Sequence, residues 1–402
     1  MKILIVSQYF WPENFKINDL CIELQKKGNE VVVLTGKPNY PSGKYYNGYK
    51  FWGFQSEYYE NISIRRVPLF SRKNGNNFNL FLNYMSYVFF ASIYVLFNKN
   101  KFDIIFCYAV SPITIAIPGI LAKYLYKSKF YIWIQDLWPE STYVNNRIEN
   151  SFFKFLLNRM VSFIYSKSDR IYIQSETMRI PIQKKMKKNK INNKIIFLPN
   201  WAEDFYYKKI NNKYKYSSLI PDDKFTILFA GNIGSGIDVN SIIKTIEILK
   251  NHRNIKFIFI GDGSEKKYLQ QSISEKKIDN NVIFIRRHQA TEMPYFYKLA
   301  DVLFTSFRSE KFYSYILPSK IPTYMASGKP ILVMANGQAS ATIKEAKCGF
   351  TVPSGDFKSL AAKILILSEM DKENLKNLGV NGRNYSIKNF SKLKIVNKIL
   401  EN

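Results

Sequence analysis

Three cysteines and two histidines are all that the 402-residue chain carries of either type. Cys21, Cys107 and Cys348 lie far apart and form no C-x-x-C pair. They argue against a disulfide framework and read as reduced thiols of a cytoplasmic protein. With only His252 and His288 beside them, a zinc site has too few ligands, and each histidine reads as a surface or loop residue rather than a catalyst. Acid is also short, with 31 Asp and Glu against 59 Lys and Arg. Neither a Gly-Lys-Ser/Thr phosphate loop nor a G-x-G-x-x-G fingerprint occurs where a strand meets a helix. Long apolar runs are scarce as well. Met1–Ser7 is basic and then apolar, but Gln8, Pro12 and Glu13 end it too early for a signal peptide, so it reads as a first buried strand. Leu80–Phe97 falls short of the roughly 20 apolar residues a bilayer span requires, and it carries Asn83, Ser86 and Ser92. It reads as a buried or membrane-facing helix whose tyrosines suit an interface.

What is present is apolar and basic. Hydrophobic residues make up 46% of the chain and aromatics 16%, enough to fill the cores of two domains. The net charge of +28 implies a polyanionic partner: nucleic acid, an anionic membrane surface or a phosphorylated substrate. Lys184–Lys194 is the heaviest cluster, and Arg65, Arg66, Arg72 and Lys73 form a smaller one. Lys, Asn and Ile abound throughout, as in chains coded by AT-rich genomes, so part of the charge is equally read as compositional. No RNA- or DNA-reading motif accompanies it, and no nucleic-acid partner is expected.

Short β-like runs alternate with helical periods along the whole chain, which implies α/β domains with mostly parallel sheets. In the first half, strands are expected near Lys2–Val6, Glu30–Leu34, Ile62–Val67, Asp103–Cys107, Phe130–Ile134, Arg170–Ile173 and Lys194–Leu198. A helix with Ile17, Leu20, Cys21 and Leu24 on one face joins the first two and stops at Gly28. Asn200–Asp223 has a weak pattern and reads as a linker. Strands follow near Phe225–Ala230, Lys256–Ile260, Asn281–Ile285, Asp301–Thr305, Pro330–Met334 and Gly349–Val352. The boundaries predicted are an N-terminal domain over residues 1–205, a C-terminal domain over 220–385, and a final helix, 386–402, returning to the first domain. Open parallel sheets bind ligands beyond the carboxyl ends of their strands, so the segments there carry the functional reading.

Two of those segments point to a diphosphate. Phe225–Gly236 runs from a β-rich stretch into Gly231, Asn232, Gly234 and Gly236, where glycine lets backbone N–H groups approach phosphates closely. A tight strand-to-helix turn is the plainer reading. Leu317–Pro330 reads as a short helix with Ser319 as N-cap, Pro322 in the first turn and Gly328 as the stop. Its free N–H groups and Lys320 then form an anion site at the positive end of the helix. Gly261-Asp262-Gly263 reads as a turn nearby. Arg286-Arg287-His288 reads as a contact to base or phosphate, or as a solvated basic turn. In the first half, Ser7–Asn14, with Trp11, Glu13 and Asn14, suits a sugar or lipid-linked acceptor, or is a structural loop. Gln135–Ser141 places Asp136 beside Trp138 and Glu140, where a carboxylate orients a substrate hydroxyl or caps a helix.

These motifs, together with Asp19-Leu20, Pro38–Gly43, Glu292-Met293-Pro294, Ala300-Asp301 and Tyr324–Pro330, resemble bacterial family 4 glycosyltransferases of the GT-B fold almost from end to end. The Asp-Leu-Trp-Pro-Glu and Pro-Ser-Lys motifs are similar to the branch of N-acetyl-L-fucosamine transferases of surface-polysaccharide assembly. The resemblance implies two Rossmann-like domains facing across a cleft, with a last helix, Phe390–Leu400, crossing back. It implies a UDP-sugar donor on the second domain (Gly231, Asn232, Gly234, Arg287, Ser319, Lys320, Thr323). It implies an acceptor on the first (Trp11, Glu13, Asn14, Trp138, Glu140), with Asp136 and Lys320 catalytic. The acceptor class is a polyprenyl-diphosphate-linked saccharide, met by a peripheral enzyme on the inner, cytoplasmic face of the membrane. Retention of configuration, no cofactor and no metal are implied too, and no Asp-x-Asp pair occurs here to bridge one.

Three departures stand out. Tyr315 and Thr323 occupy the positions of the family's paired acids, the first domain has no histidine, and the usual Arg and Lys of the glycine loop are missing. Lys320 must then supply more of the charge that holds the diphosphate. Two other readings compete: a UDP-sugar 2-epimerase of the same fold, and a non-enzymatic basic module binding nucleic acid or membrane.

Overall fold

The computed structural model describes residues 1–146, 150–186, 193–208, 210 and 216–401. Of the basic run Lys184–Lys194, residues 187–192 lie outside the described residues. The chain divides into two compact units, Met1–Leu198 with Val396–Asn402, and Pro199–Ile395.

The first unit is built on an eight-stranded sheet. Its strands are β1 (Lys2–Val6), β2 (Glu30–Gly36), β3 (Gln55–Tyr59), β4 (Ile62–Val67), β5 (Ile104–Ala109), β6 (Lys129–Ile134), β7 (Arg170–Ile173) and β8 (Ile195–Phe197), in the order β3-β4-β2-β1-β5-β6-β7-β8. All neighbours are parallel except β3, which pairs antiparallel with β4. Central strands such as β1 and β5 are apolar runs buried on both faces, as helix-covered parallel strands must be. Strand β3 was not predicted. Its sequence, Gln-Ser-Glu-Tyr-Tyr, has no aliphatic residue, because an edge strand with alternate residues exposed requires none.

The second unit has a six-stranded parallel sheet of β9 (Phe225–Ala230), β10 (Ile255–Ile260), β11 (Val282–Ile285), β12 (Val302–Ser306), β13 (Ile331–Met334) and β14 (Gly349–Val352), ordered β11-β10-β9-β12-β13-β14. Alternate residues feed two cores. Leu228, Ile258, Leu303, Ile331 and Val333 pack on one face, and Ile227, Phe229, Phe257, Phe304 and Leu332 on the other. In both sheets the strand order reverses next to the first strand, between β1 and β5 and between β9 and β12. A crevice forms at such a reversal, outside the carboxyl ends.

The expected boundary at residue 205 shifts to Leu198. Ala202 and Tyr206 are buried in the core of the second unit, and Tyr206 stacks on Tyr297 at 5.7 Å. That unit also continues beyond 385, because Phe390 belongs to the same core. Only from Val396, midway along helix Lys392–Leu400, does the chain count with the first unit. The apolar helix of the first unit begins earlier than expected, at Asn77, where the Asn76 side chain accepts a hydrogen bond from the Asn79 amide. Arg66 is corrected as well. It is no part of a basic surface, for its guanidinium is buried and spent on Glu57 and on the carbonyls of Gly36 and Trp11.

Candidate active site

In the second unit, the end of β9 is shaped by glycines. Gly231 has φ +120° and Gly261, after β10, has φ +140°; a Cβ on Gly261 would lie 2.0 Å from the Gly231 carbonyl oxygen. A Cβ on Gly263 would lie 2.3 Å from the Ile233 oxygen. Close approach lets the two loops lock together: Gly231 donates to Ile260, Ile233 to Asp262, and Glu265 to the Ile233 carbonyl. The amides of Asn232, Gly234, Ser235 and Gly236 donate to no acceptor among the described residues. Four unspent N–H groups in one turn form a concave donor surface for an anion. Gly261→Ala meets both the φ and the backbone clash. The expected loss is about 1–3 kcal/mol of stability, read by thermal unfolding, whereas Gly28→Ala, with φ +80° and open space around it, suffers only the φ penalty.

Lys320 reaches the same turn. Its Cε would be 2.8 Å from a Cβ on Gly231, so the absent side chain is what admits it. Part of the residue is exposed, but its Nζ is buried, has no hydrogen-bond partner and stands 3.7 Å from the centre of the Phe229 ring. Burial pushes its pKa down to about 7. An ammonium so placed gains from the ring face but lacks a counter-ion.

The helix that carries it, Lys320–Ser327, differs from the expected one at its start. Ser319 has helical backbone angles and its side chain makes no cap bond, because a turn from Pro318 to Ile321 already precedes the helix. The exposed Ser319 hydroxyl is left to solvent. Thr323 is also reassigned: its hydroxyl is turned onto the carbonyls of Lys320 (2.8 Å) and Ser319 (3.3 Å), so its proton stays within the helix. Gly328 ends the helix with φ +72°. Arg287 is exposed beyond β11, at the same sheet edge two strands from β9, and makes no ion pair among the described residues. His288 lies in the loop after β11, as one of the two expected settings had it, but is largely buried there. Its side chain is 8% exposed, with Nδ1 3.3 Å from Glu292 and Nε2 buried without a partner.

In the first unit, Asp136 follows β6 and makes no hydrogen bond or ion pair among the described residues. Burial raises its carboxyl to about 7. It lies near the hydroxyls of Tyr84 and Tyr108, whose own pKa values are raised by burial first and by this carboxylate second or later. Tyr84 bonds Ser111, and Trp138 Nε1 donates to the same Ser111 hydroxyl at 3.3 Å. The Arg72 guanidinium stands beside Tyr84, 3.3 Å from the Tyr9 hydroxyl. A lone carboxyl ringed by phenols and an indole suits a polyol, whose faces are apolar and whose hydroxyls need an acceptor. Tyr84 and Ser111 were missed in the sequence, whereas Arg72 was read only as part of a basic cluster and Tyr9 only as part of the Ser7–Asn14 segment. Ser111 had a signal, since it follows β5 as Asp136 follows the adjacent β6.

Of the other expected acceptor residues, Glu13 and Glu140 are engaged within the unit itself. Glu13 is buried, and its Oε1 accepts from the amides of Asn39 (2.8 Å) and Tyr40 (2.7 Å). Burial outweighs those bonds and raises its carboxyl to about 7. It holds a loop instead of facing a ligand. Trp11 stacks on Tyr59 at 4.7 Å, Asn14 is exposed, and Glu140 pairs with Lys185.

Residues 211–385 match the family described as Glycosyl transferases group 1. That match lies within the second unit. Over 71% of each chain, the protein is 26% identical to WbjE of Pseudomonas aeruginosa, assigned as a glycosyltransferase. Over 83% of each, it is 24% identical to WcaI of Escherichia coli K12, assigned to colanic acid biosynthesis. Anabaena HepE, solved in complex with UDP, superposes with a TM-score of 0.70 over 100% of this chain and 99% of HepE, at 14% identity. The fold is therefore GT-B, with two Rossmann-like parallel-sheet units. Gly231, Gly261 and Lys320 all fall within the matched residues 211–385.

Proposed function

We propose that the protein transfers a sugar from a UDP-sugar to a lipid-linked saccharide, with retention of configuration and without a metal, in bacterial surface-polysaccharide synthesis of the O-antigen or capsule type. The observation that carries this reading is the buried, unpartnered Lys320 ammonium beside the open amides of the Gly231 turn. Such a site stabilises negative charge that develops on a departing diphosphate, as preorganised donors do. The resemblance to N-acetyl-L-fucosamine transferases favours an N-acetylated amino or deoxyamino hexose, and the similarity to WbjE and WcaI supports a role in polysaccharide synthesis.

The proposed chemistry is a same-face displacement. The bond from sugar C1 to the β-phosphate oxygen loosens, and its electron pair leaves with UDP. The acceptor hydroxyl oxygen bonds C1, and its proton passes to a phosphate oxygen. Lys320 and the turn amides hold the leaving group, Arg287 contributes to the nucleotide site, and Asp136 orients the acceptor hydroxyl. Cation and amides together replace the role a divalent ion plays elsewhere. The enzyme works as a peripheral protein on the inner face of the cytoplasmic membrane.

Incubation with a panel of radiolabelled UDP-sugars and a lipid-linked acceptor extract, in the presence of EDTA, tests the reading. Label is expected in the lipid product, with the donor's anomeric configuration kept and no loss of rate to the chelator. Conversion of the nucleotide sugar to its epimer without acceptor would assign an isomerase instead. Salt-sensitive RNA binding with no affinity for UDP would assign a basic binding module.

A further inference from the structure

A second basic site lies in the first unit. Residues 39–45 and 71–75 are clasped side by side. Glu13 holds the amides of Asn39 and Tyr40, the Asn39 side chain accepts from the Arg72 amide at 3.0 Å, and the Gly43 carbonyl accepts from the Lys73 amide at 3.0 Å. Gly43 has φ +75° and a Cβ there would lie 1.7 Å from the Lys73 oxygen, so only glycine permits the clasp. Lys73 itself is held at φ +46°. Between the two segments is a cavity of about 540 Å³, lined among others by Ser42, Lys44, Ser71, Lys73 and Asn74, with no acidic residue. Its size is that of a small-molecule site. Lys44 and Lys73 are exposed, and neither they nor Arg72 form an ion pair among the described residues.

Two neighbours say what kind of anion fits. On one side, Phe70, which precedes Ser71 in the chain, stacks on Phe51 at 4.2 Å; Phe51 meets Trp52 at 4.5 Å and Phe90 at 6.1 Å. Trp52 is 74% exposed, and Phe54, Phe70 and Phe89 are exposed with it. This face continues along helix Asn77–Phe97, whose mean hydropathy reaches 1.7 although only 28% of that window is buried. A contiguous apolar face on a charged protein marks a partner site. On the other side, Arg72 reaches from the clasp to Tyr9 and Tyr84, and Tyr84 adjoins Asp136. Carboxyl, cations and aromatic face thus follow one another in the order sugar, phosphate, hydrocarbon.

We propose that the cavity between residues 42–45 and 71–74 binds the diphosphate of the lipid-linked acceptor, with its prenyl chain on the Phe51, Trp52, Phe70 and Phe90 face and its sugar directed past Arg72 to Asp136. The proposal rests on the transferase reading for the identity of the acceptor, but its site is separate from the nucleotide site and is tested separately.

Calorimetric titration with farnesyl diphosphate, farnesol and inorganic pyrophosphate, each with and without saturating UDP, tests it. Farnesyl diphosphate is expected to bind in the presence of UDP, with both farnesol and pyrophosphate at least about tenfold weaker. The double variant Lys44→Glu/Lys73→Glu is expected to weaken farnesyl diphosphate by about 10–100-fold, the scale of lost charge-assisted hydrogen bonds, while keeping the wild-type affinity for UDP. Trp52→Ala is expected to weaken it without changing pyrophosphate. The control reversal Lys27→Glu/Lys127→Glu, near the amino ends of β2 and β6, is expected to change nothing. Farnesyl diphosphate binding that ignores the charge reversal overturns the proposal. So does pyrophosphate binding as tight as that of the lipid, which would leave a free-anion site. Charge-sensitive farnesyl diphosphate binding by a protein without affinity for UDP would support the cavity and remove the transferase reading.

Discussion

Lys320→Met and Lys320→Ala are expected to lower turnover of the UDP-sugar donor by about 10²–10³-fold, the typical cost of losing one preorganised donor to a developing oxyanion. The reason is that the buried Nζ beside the Gly231 turn has no hydrogen-bond partner among the described residues, and the amides around it are neutral dipoles. Stability is expected to move the other way. The lysine's pKa is lowered from its ordinary 10.5 to about 7 by burial, so between those values the unfolded chain binds the proton more tightly than the folded one. Folding therefore carries the full penalty below about pH 7 and sheds it as pH rises toward 10.5. The methionine variant should melt above wild type, with the gap widest below neutrality and closing in alkali. Undiminished turnover in both variants would remove Lys320 from the reaction. A gap in melting temperature that did not depend on pH would show that its burial is not what shifts it.

Asp136→Asn is expected to lower turnover by about 10²–10⁴-fold, the range for a positioned proton acceptor, with little effect on UDP affinity because Asp136 belongs to the first unit and the glycine turn to the second. The pH profile gives the sharper test. Asp136 is raised by burial to about 7 and Lys320 is lowered by burial to about 7. The free enzyme then has its carboxylate ionised only above neutrality and its ammonium charged only below it. A plot of kcat/KM against pH should be a narrow bell with its maximum near 7, since both limbs report groups of the free enzyme. A UDP-sugar has no phosphate proton that titrates near neutrality, so neither limb belongs to the donor. Asn at 136 should remove the acid limb, and Met at 320 the alkaline limb. A flat profile through the neutral range would separate both groups from the rate.

Much of the scaffold is legible because buried parallel strands are apolar runs. Phe225–Ala230 and Ile104–Ala109 announce themselves, whereas the polar edge strand Gln55–Tyr59 is defined only by its partner. The approach of Lys320 to Gly231 follows from a glycine turn and a Ser-Lys helix start placed at neighbouring strand ends. What stays hidden is set by distant parts of the chain. Glu13 looks like a ligand group until Asn39 and Tyr40 fold onto it, and Arg66 looks like surface until Glu57 meets it. Thr323 could face a hydroxyl or its own helix, and local geometry chose the helix. Tyr84 belongs to a helix whose apolar character hid the one polar side chain turned toward Asp136.

The first unit takes its residues from both ends of the chain, Met1–Leu198 and Val396–Asn402, and Val396 and Ile399 are fully buried. During synthesis its hydrophobic interior stays incomplete until Val396 and Ile399 have left the ribosome, by which time the second unit is already made. The unit begun first is thus completed after the second, and a break in the chain just before Val396 would injure the unit whose strands are encoded farthest from it.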